Sequence, residues 1–263
     1  MSAHRQAVDN VVTSFVEFQS LIESLSADDL EVQSLCPDWN VRGVILHVLG
    51  IEDCLSGWKP QADDEMPPFA EVGPFMAEHA GDDPVRLAEL GRDIFGRRRR
   101  ELETASDDDL ARLCMSPVGQ VPYGTFVAVR NFDIWVHHRD ITTPLGRDSD
   151  DSGPAAEAAM DQIHSSLGYI VGKKIGLPDG MSIAFQVHGP VERTMAVSVD
   201  GRAKVVPEIA GSPSVEVTAD SLTFVQLACG RIDPEGAIST GRIGWTGDDE
   251  WGGRAARNLA FTI

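Results

Sequence analysis

Two side chains near the middle of the chain have the types and spacing of a metal-binding pair. Asp133 and His137 stand four positions apart in the stretch from Arg130 to Gly146, which we interpret as the end of a helix. At that spacing the two side chains lie on one helix face, one turn apart. A carboxylate and an imidazole so placed can bind a single divalent ion. Two ligands do not make a site, so a third must come from elsewhere in the chain.

His47 is the candidate third ligand. It lies on a predicted amphipathic helix that starts at Asn40 and ends near Trp58, beside the apolar stripe of that helix. Metal sites in helical bundles are built inward from facing helices, so His47 can meet the other two residues in a core. Two imidazoles and one carboxylate leave coordination positions open, as catalytic metal sites do.

Each part of this set also has a simpler explanation. Taken alone, His47 fits a hydrogen-bonded core histidine better than a metal ligand. Asp133 and His137 alone can be a pair that stabilises their helix. The joint arrangement favours a metal site more strongly than either part does.

The first half of the chain contains four segments with helical periodicity. They cover about residues 4–25, 40–58 and 82–103, with the last starting at 124 or 125, and loops are predicted over 60–74 and 117–124. Four helices with such connections predict a bundle. The run Arg97–Arg100 is interpreted as a solvated last turn that complements the helix dipole.

The pattern changes after Gly146, where residues 147–154 read as a polar linker. A helix is predicted over 155–171, period-two alternation follows at 182–189, 194–201 and 214–219, and helices are predicted at 220–229 and 248–259. We therefore predict an α+β fold class with two domains. Residues 1–147 form the four-helix bundle and residues 148–263 form a small α+β domain.

Composition narrows the range of partners. The chain has 263 residues, a net charge of −19 and a sequence pI near 4.6. Phosphates would be repelled, so neither nucleic acid nor an anionic membrane surface is expected as a partner. No apolar signal region opens the sequence and no apolar run approaches the roughly 20 residues of a membrane span. The four scattered cysteines predict a reduced, cytoplasmic protein.

Other catalytic chemistries have weak support. No histidine lies near a cysteine in sequence, and neither a Gly-x-Ser-x-Gly elbow nor a glycine-rich phosphate loop is present. Arg231 and Arg242 each follow a glycine at the end of an element in the second half. Each is either a surface arginine beside a C-cap glycine or a cation that faces the site and binds a carboxylate bidentately.

Three segments resemble the mycothiol-dependent maleylpyruvate isomerase family, actinobacterial relatives of the DinB-like metal-binding bundles. The stretch from Cys36 to Gly50 resembles that family's Pro-Gly-Trp-Thr-Val-x-Asp…His-Leu segment. The stretch from Arg130 to Gly146 resembles its Arg…Glu-x-x-x-His-x-x-Asp…Ala-Leu-Gly segment, and the end of the chain from Gly247 resembles the end of many members. The resemblance spans nearly the whole chain.

The resemblance implies a ligand set, a cofactor and a second fold. It implies a divalent metal, usually zinc with nickel or iron as alternatives, held by His47, Asp133 and His137. It also implies mycothiol, whose sulfur binds the metal as thiolate, and a C-terminal domain like that of sterol carrier proteins. Arg231 is the candidate for the family's functional C-terminal arginine, and we predict it as catalytic. The sequence departs from the family at Asp133, where the usual acid is glutamate, one methylene longer.

Three hypotheses follow for function. The first is a mycothiol-dependent isomerase or transferase that acts on a small electrophilic metabolite bound between the two domains; an anionic substrate would need a cation such as Arg231 or Arg242. The second is a metal- and small-ligand-binding protein without turnover. The third is a bundle in which His47, Asp133 and His137 only stabilise the core. A monomer or a homodimer is expected.

Overall fold

The computed structural model describes residues 2–116 and 119–262, and it has the predicted α+β fold class. The chain divides into two compact units, Met1–Ser149 and Asp150–Ile263. The domain boundary predicted from the sequence lies between residues 147 and 148. Two parts of the sequence-based interpretation, the start of the 117–124 loop and the final residue of the family-like C-terminal segment, lie outside the described residues.

The first unit is a helical bundle, as the periodicity predicts, with a small β-hairpin that was not predicted. Its helices are α1 (Ala3–Ser24), α2 (Ala27–Leu30), α3 (Val41–Leu55), α4 (Val72–Glu78), α5 (Pro84–Thr104), α6 (Asp107–Ala111) and α7 (Tyr123–Thr142). Strands β1 (Leu113–Ser116) and β2 (Gly119–Pro122) pair antiparallel beside them. A 3₁₀ turn, Phe69–Glu71, precedes α4.

Local sequence sets where the long helices begin. Asn40 caps α3, because its side chain accepts a hydrogen bond from the Gly43 backbone N–H at 3.0 Å. Asp83 caps α5 in the same way and Pro84 occupies the first turn, where its missing N–H costs nothing. The apolar stripes of α1, α3 and α5 are buried in one core together with α7 residues such as Phe126.

Three sequence-based interpretations of this unit are wrong in part. The predicted 117–124 loop contains strand β2, and its last two residues begin α7. The predicted 60–74 loop ends in the 3₁₀ turn and the start of α4. The run Arg97–Arg100 does not lie wholly in solvent, because Arg98 is only 2% exposed and is paired with the buried Glu52. Its periodic position on α5 turns it toward the core, and a charge run in sequence does not show that.

The second unit is a five-stranded sheet with helices. Its elements are α8 (Gly153–Tyr169), β3 (Ser182–His188), β4 (Arg193–Asp200), β5 (Arg202–Val206), β6 (Val215–Asp220), α9 (Ser221–Ala228), α10 (Pro234–Ser239), β7 (Ile243–Gly247) and α11 (Asp249–Arg257). A π-helical turn, Ile170–Ile175, extends α8. The strand order is β5-β4-β3-β6-β7, in which β3 and β6 are parallel and the other neighbours are antiparallel.

The apolar residues that alternate along the predicted strands are the ones that are buried in this sheet. Ile183, Phe185 and Val187 of β3 are buried, while His188 at its end is exposed. Strands β5 and β7 and helix α10 were not predicted. Strand β5 lies at a sheet edge and is mostly exposed, so its sequence lacks the apolar alternation. No described helix is both long and apolar enough to span a bilayer.

Candidate metal centre

The structure brings the three predicted ligands together. One ligand atom from each of His47, Asp133 and His137 can be chosen so that all lie within 4.8 Å of one another. His47 comes from α3 and the other two come from α7. The two imidazole rings stand 5.0 Å apart at 76°, and His137 Nε2 lies 3.6 Å from Asp133 Oδ1. Residues far apart in sequence therefore form one cluster.

The donor set fits a divalent ion. Two ring nitrogens and a carboxylate oxygen are ligands of zinc and of non-haem iron, and metal–ligand bonds of about 2.0–2.2 Å would bring the donors to about 3.4 Å from each other. Burial would raise the pKa of Asp133, but the nearby Arg130 guanidinium and the His137 and His47 rings outweigh it and hold that pKa well below its usual range. The acid is therefore ionised, as a ligand must be.

Arg130 fixes how Asp133 can bind. Arg130 lies one turn before Asp133 on α7, and its Nη1 donates a hydrogen bond to Asp133 Oδ2 at 2.8 Å. That hydrogen bond occupies one carboxylate oxygen and leaves Oδ1 facing His137. The arrangement favours a carboxylate that gives one oxygen to the ion rather than two.

Arg130 is also held by a chain of charged side chains that lies mostly in the bundle core. Glu52, which is fully buried on α3, accepts from Arg130 Nε at 2.8 Å and from Arg98 Nε at 3.2 Å. Arg98 in turn donates to Glu101 at 2.8 Å. The chain connects α3, α5 and α7, and each buried charge in it has an opposite partner.

Asp140 and Cys36 lie on the other side of the His137 ring. Asp140 Oδ2 is 2.9 Å from His137 Nδ1 and accepts a hydrogen bond from Cys36 Sγ at 3.1 Å. Sequence reasoning missed Cys36, because it is 101 positions from His137 and proximity in sequence was the only guide. The available signal was that both residues fall in the two family-like segments, with Asp140 three positions after His137.

Trp39 covers His47. The two rings are 4.6 Å apart with planes tilted by 33°. Gly43, one turn into α3, permits this approach, because a Cβ there would lie 2.9 Å from Trp39 Cβ. Trp39 therefore limits the rotation of His47 and shields one face of its ring from water.

His138, next to a candidate ligand, belongs to a different environment. Its ring makes an edge contact with Phe18 at 6.2 Å. Burial, helped by the Arg139 charge, lowers the pKa of His138 to about 4, so this imidazole is neutral at pH 7. Arg139 lies over the Trp135 ring at 3.6 Å. His138 and His137 thus face different surroundings although they are neighbours in sequence.

The two candidate arginines are both in the second unit. Arg231 follows Gly230, whose φ of 66° is left-handed, and its Nη1 donates to the Cys229 carbonyl at 2.9 Å. Arg242 follows Gly241, with φ of 71°, and its Nε contacts Thr240 Oγ1 at 3.4 Å. Both positions fit an arginine beside a C-cap glycine. The catalytic role of Arg231 stays a prediction.

Comparison with known proteins identifies relatives of both units. The model of the mycothiol maleylpyruvate isomerase N-terminal domain matches residues 12–142, and the model of the family's C-terminal domain matches residues 157–254. An uncharacterized protein of Mycobacterium tuberculosis is 25% identical over 150 residues, which are 57% of this chain and 69% of that protein.

Solved structures show the same fold over most of the chain. A crystal structure of the mycothiol-dependent maleylpyruvate isomerase aligns with a TM-score of 0.61 at 17% identity, covering 88% of this chain and 90% of that one. A histidine-to-alanine mutant of that isomerase aligns with a TM-score of 0.59 at 16% identity over the same shares. The two domain models cover most of the sequence, so the chain belongs to the mycothiol-dependent maleylpyruvate isomerase family.

Proposed function

We propose that this member of the mycothiol-dependent maleylpyruvate isomerase family is a metal-dependent enzyme that uses a low-molecular-weight thiol to transform a small electrophile. The observation that carries the proposal is the convergence of His47, Asp133 and His137 within 4.8 Å. Three protein ligands leave room in the coordination sphere for one more, as in catalytic zinc sites.

A bound ion would lower the pKa of a thiol, and the thiolate could then add to an electrophilic carbon of the substrate. An isomer would form if the thiolate leaves again, and a conjugate if it stays. The protein's own residues prepare the position. His47 and His137 present ring nitrogens from two helices, and Asp133 presents the oxygen that Arg130 leaves open. Trp39 limits access of water to the His47 side of the site.

Zinc and mycothiol are the proposed metal and thiol. The nitrogen and oxygen donors suit zinc, although nickel and iron also accept such sets. Mycothiol is the thiol named in the family's description, and the cytosol is the compartment in which we place the reaction, because thiols stay reduced there. Two of the chain's four thiols are unsuited to the nucleophile role, since burial raises the pKa of both Cys54 and Cys114 to about 11.

A second candidate is a metal- and ligand-binding protein without turnover. The same convergent ligands favour it equally, because binding an ion does not require a reaction. It differs from the first in a single outcome, the consumption of thiol or the formation of an isomer.

The test incubates zinc-loaded, untagged protein with mycothiol and a panel of electrophiles, following thiol loss and isomer formation. We expect thiol-dependent turnover that His47→Ala abolishes. The double variant Cys54→Ser/Cys114→Ser is the matched control and should keep its activity. Turnover without thiol, or its loss in the double variant, would refute the mechanism. If no electrophile is turned over while metal binding is intact, the binding-protein hypothesis would be supported instead.

A further inference from the structure

His137 belongs to two clusters of potential metal ligands among the described residues. One is the cluster with His47 and Asp133, and the other joins His137 to Cys36 and Asp140. All three members of the second cluster are buried, and Asp140 is only 1% exposed. Each ring nitrogen of His137 faces one cluster, because Nε2 lies toward Asp133 and Nδ1 toward Asp140.

We propose that Cys36 and Asp140 are a positioning pair that holds His137 with its proton on Nδ1, and not a second metal site. The proposal rests on the ligand set of the proposed function. It assigns to Cys36, through Asp140, a role in metal affinity that sequence analysis had given to no cysteine.

Hydrogen-bond chemistry sets the proton positions. A carboxylate oxygen accepts hydrogen bonds, so two groups that lie within reach of Asp140 Oδ2 act as donors to it. They are His137 Nδ1 at 2.9 Å and Cys36 Sγ at 3.1 Å. If Cys36 were a thiolate instead, two negative charges would be buried side by side without a hydrogen bond between them.

The proton on Nδ1 determines what His137 offers on its other side. In the neutral ring Nε2 then carries a lone pair. That lone pair faces Asp133 Oδ1 at 3.6 Å. Two electron-rich atoms at this distance repel each other unless a cation lies between them. A carboxylate on the far nitrogen also orients a ligating imidazole and makes it a stronger ligand.

The backbone holds the pair in place. The Leu35 N–H donates to the Asp140 carbonyl at 3.0 Å, and the Cys36 N–H donates to Ser34 Oγ at 3.0 Å. The loop that contains Cys36 is therefore attached to the end of α7, and three residues later it presents Trp39 to His47. One short loop thus supports both candidate histidine ligands.

The chain contains a matched control for this pair. His79 Nδ1 lies 2.8 Å from Asp82 Oδ2, with the same three-residue spacing as His137 and Asp140, and neither residue is part of the metal cluster. Asp82→Asn removes the same kind of carboxylate contact away from the site.

The experiment measures zinc affinity by calorimetry in metal-stripped variants. Asp140→Asn should weaken binding by about 10–100-fold, the range found for outer-shell partners, while Asp82→Asn leaves it unchanged. Cys36→Ala should weaken binding by a smaller factor and Cys36→Ser should recover it, because a hydroxyl still donates to the carboxylate. Equal affinities in Asp140→Asn and Asp82→Asn would overturn the proposal.

Two further readouts separate this proposal from the proposed function. Nitrogen-15 NMR of the metal-free wild type, at a pH where the ring is neutral, should show His137 as the Nδ1–H tautomer. This readout depends neither on thiol turnover nor on the folding of Asp140→Asn. The Nε2–H tautomer would overturn the proposal. So would thiolate-to-metal absorption in the cobalt-substituted wild type that is absent from Cys36→Ala, since it would make Cys36 a ligand.

Discussion

At the scale of single residues, neighbouring side chains determine which atoms of Asp133 and His137 are available to bind an ion. Arg130 takes Asp133 Oδ2, and Asp140 faces His137 Nδ1. The remaining atoms, Asp133 Oδ1 and His137 Nε2, face each other. The geometry thus limits Asp133 and His137 to one donor atom each, which is how outer contacts normally orient a metal site.

Asp133 gives a direct test of this selection. Asp133→Ala should lose zinc binding, because only two imidazoles remain, whereas Asp133→Glu should keep it, because a carboxylate remains on the same helix face. Calorimetry on both metal-stripped variants provides the comparison. Equal zinc binding by Asp133→Ala and wild type would exclude Asp133 as a ligand.

Arg231 belongs to the same scale. In a chain with a net charge of −19, an anionic substrate needs a local cation. If Arg231 supplies it, Arg231→Ala should weaken use of anionic substrates by about 1.5–3 kcal/mol, the value of a hydrogen bond to a charged group. Arg242→Ala is the control, since Arg242 also follows a C-cap glycine. If kcat/KM fell in Arg242→Ala but not in Arg231→Ala, the assignment of Arg231 would be contradicted.

At the scale of elements, the bundle's charged interior holds the ligand-bearing helices in register. Glu52 on α3 is shared by Arg98 of α5 and Arg130 of α7, and all three side chains are buried. Removing one member of such a network leaves an uncompensated charge in a low-dielectric core. The metal ligands on α3 and α7 therefore depend on an acid that does not bind the ion.

Glu52→Gln tests this dependence. It should lower the free energy of unfolding by about 3–5 kcal/mol, because both arginines lose the fully buried counter-charge that they share. Glu89→Gln, which affects an exposed pair with Arg86, should cost no more than about 1 kcal/mol. Urea denaturation of the metal-free proteins gives both values. A cost for Glu52→Gln as small as that for Glu89→Gln would mean that the network contributes little.

The elements also show how far the sequence alone could predict this protein. Helical periodicity gave α1, α3, α5 and α7, and the one-turn spacing of Asp133 and His137 gave the orientation of two ligands. The burial of Arg98 and the contact between Cys36 and Asp140 were not predictable in that way. Both depend on which helix faces which, and side-chain type and local spacing do not encode that.

At the scale of the whole molecule, metal binding should appear as stability. An ion that binds only the folded chain stabilises it by mass action, by about 2.7 kcal/mol at a free concentration 100 times Kd. Zinc added to the chelator-treated wild type should therefore raise its melting temperature with concentration, and Asp133→Ala should not respond. An equal response from the variant would place the binding elsewhere on this acidic chain.

X-ray absorption at the zinc edge tests the central claim most directly, because it reports the atoms bound to the ion before and after thiol is added. We predict only nitrogen and oxygen neighbours, at about 2.0–2.2 Å, in the zinc-loaded protein without thiol. On addition of mycothiol, one sulfur should join them at about 2.3 Å. A sulfur neighbour before any thiol is added, or none at saturating mycothiol, would contradict the account.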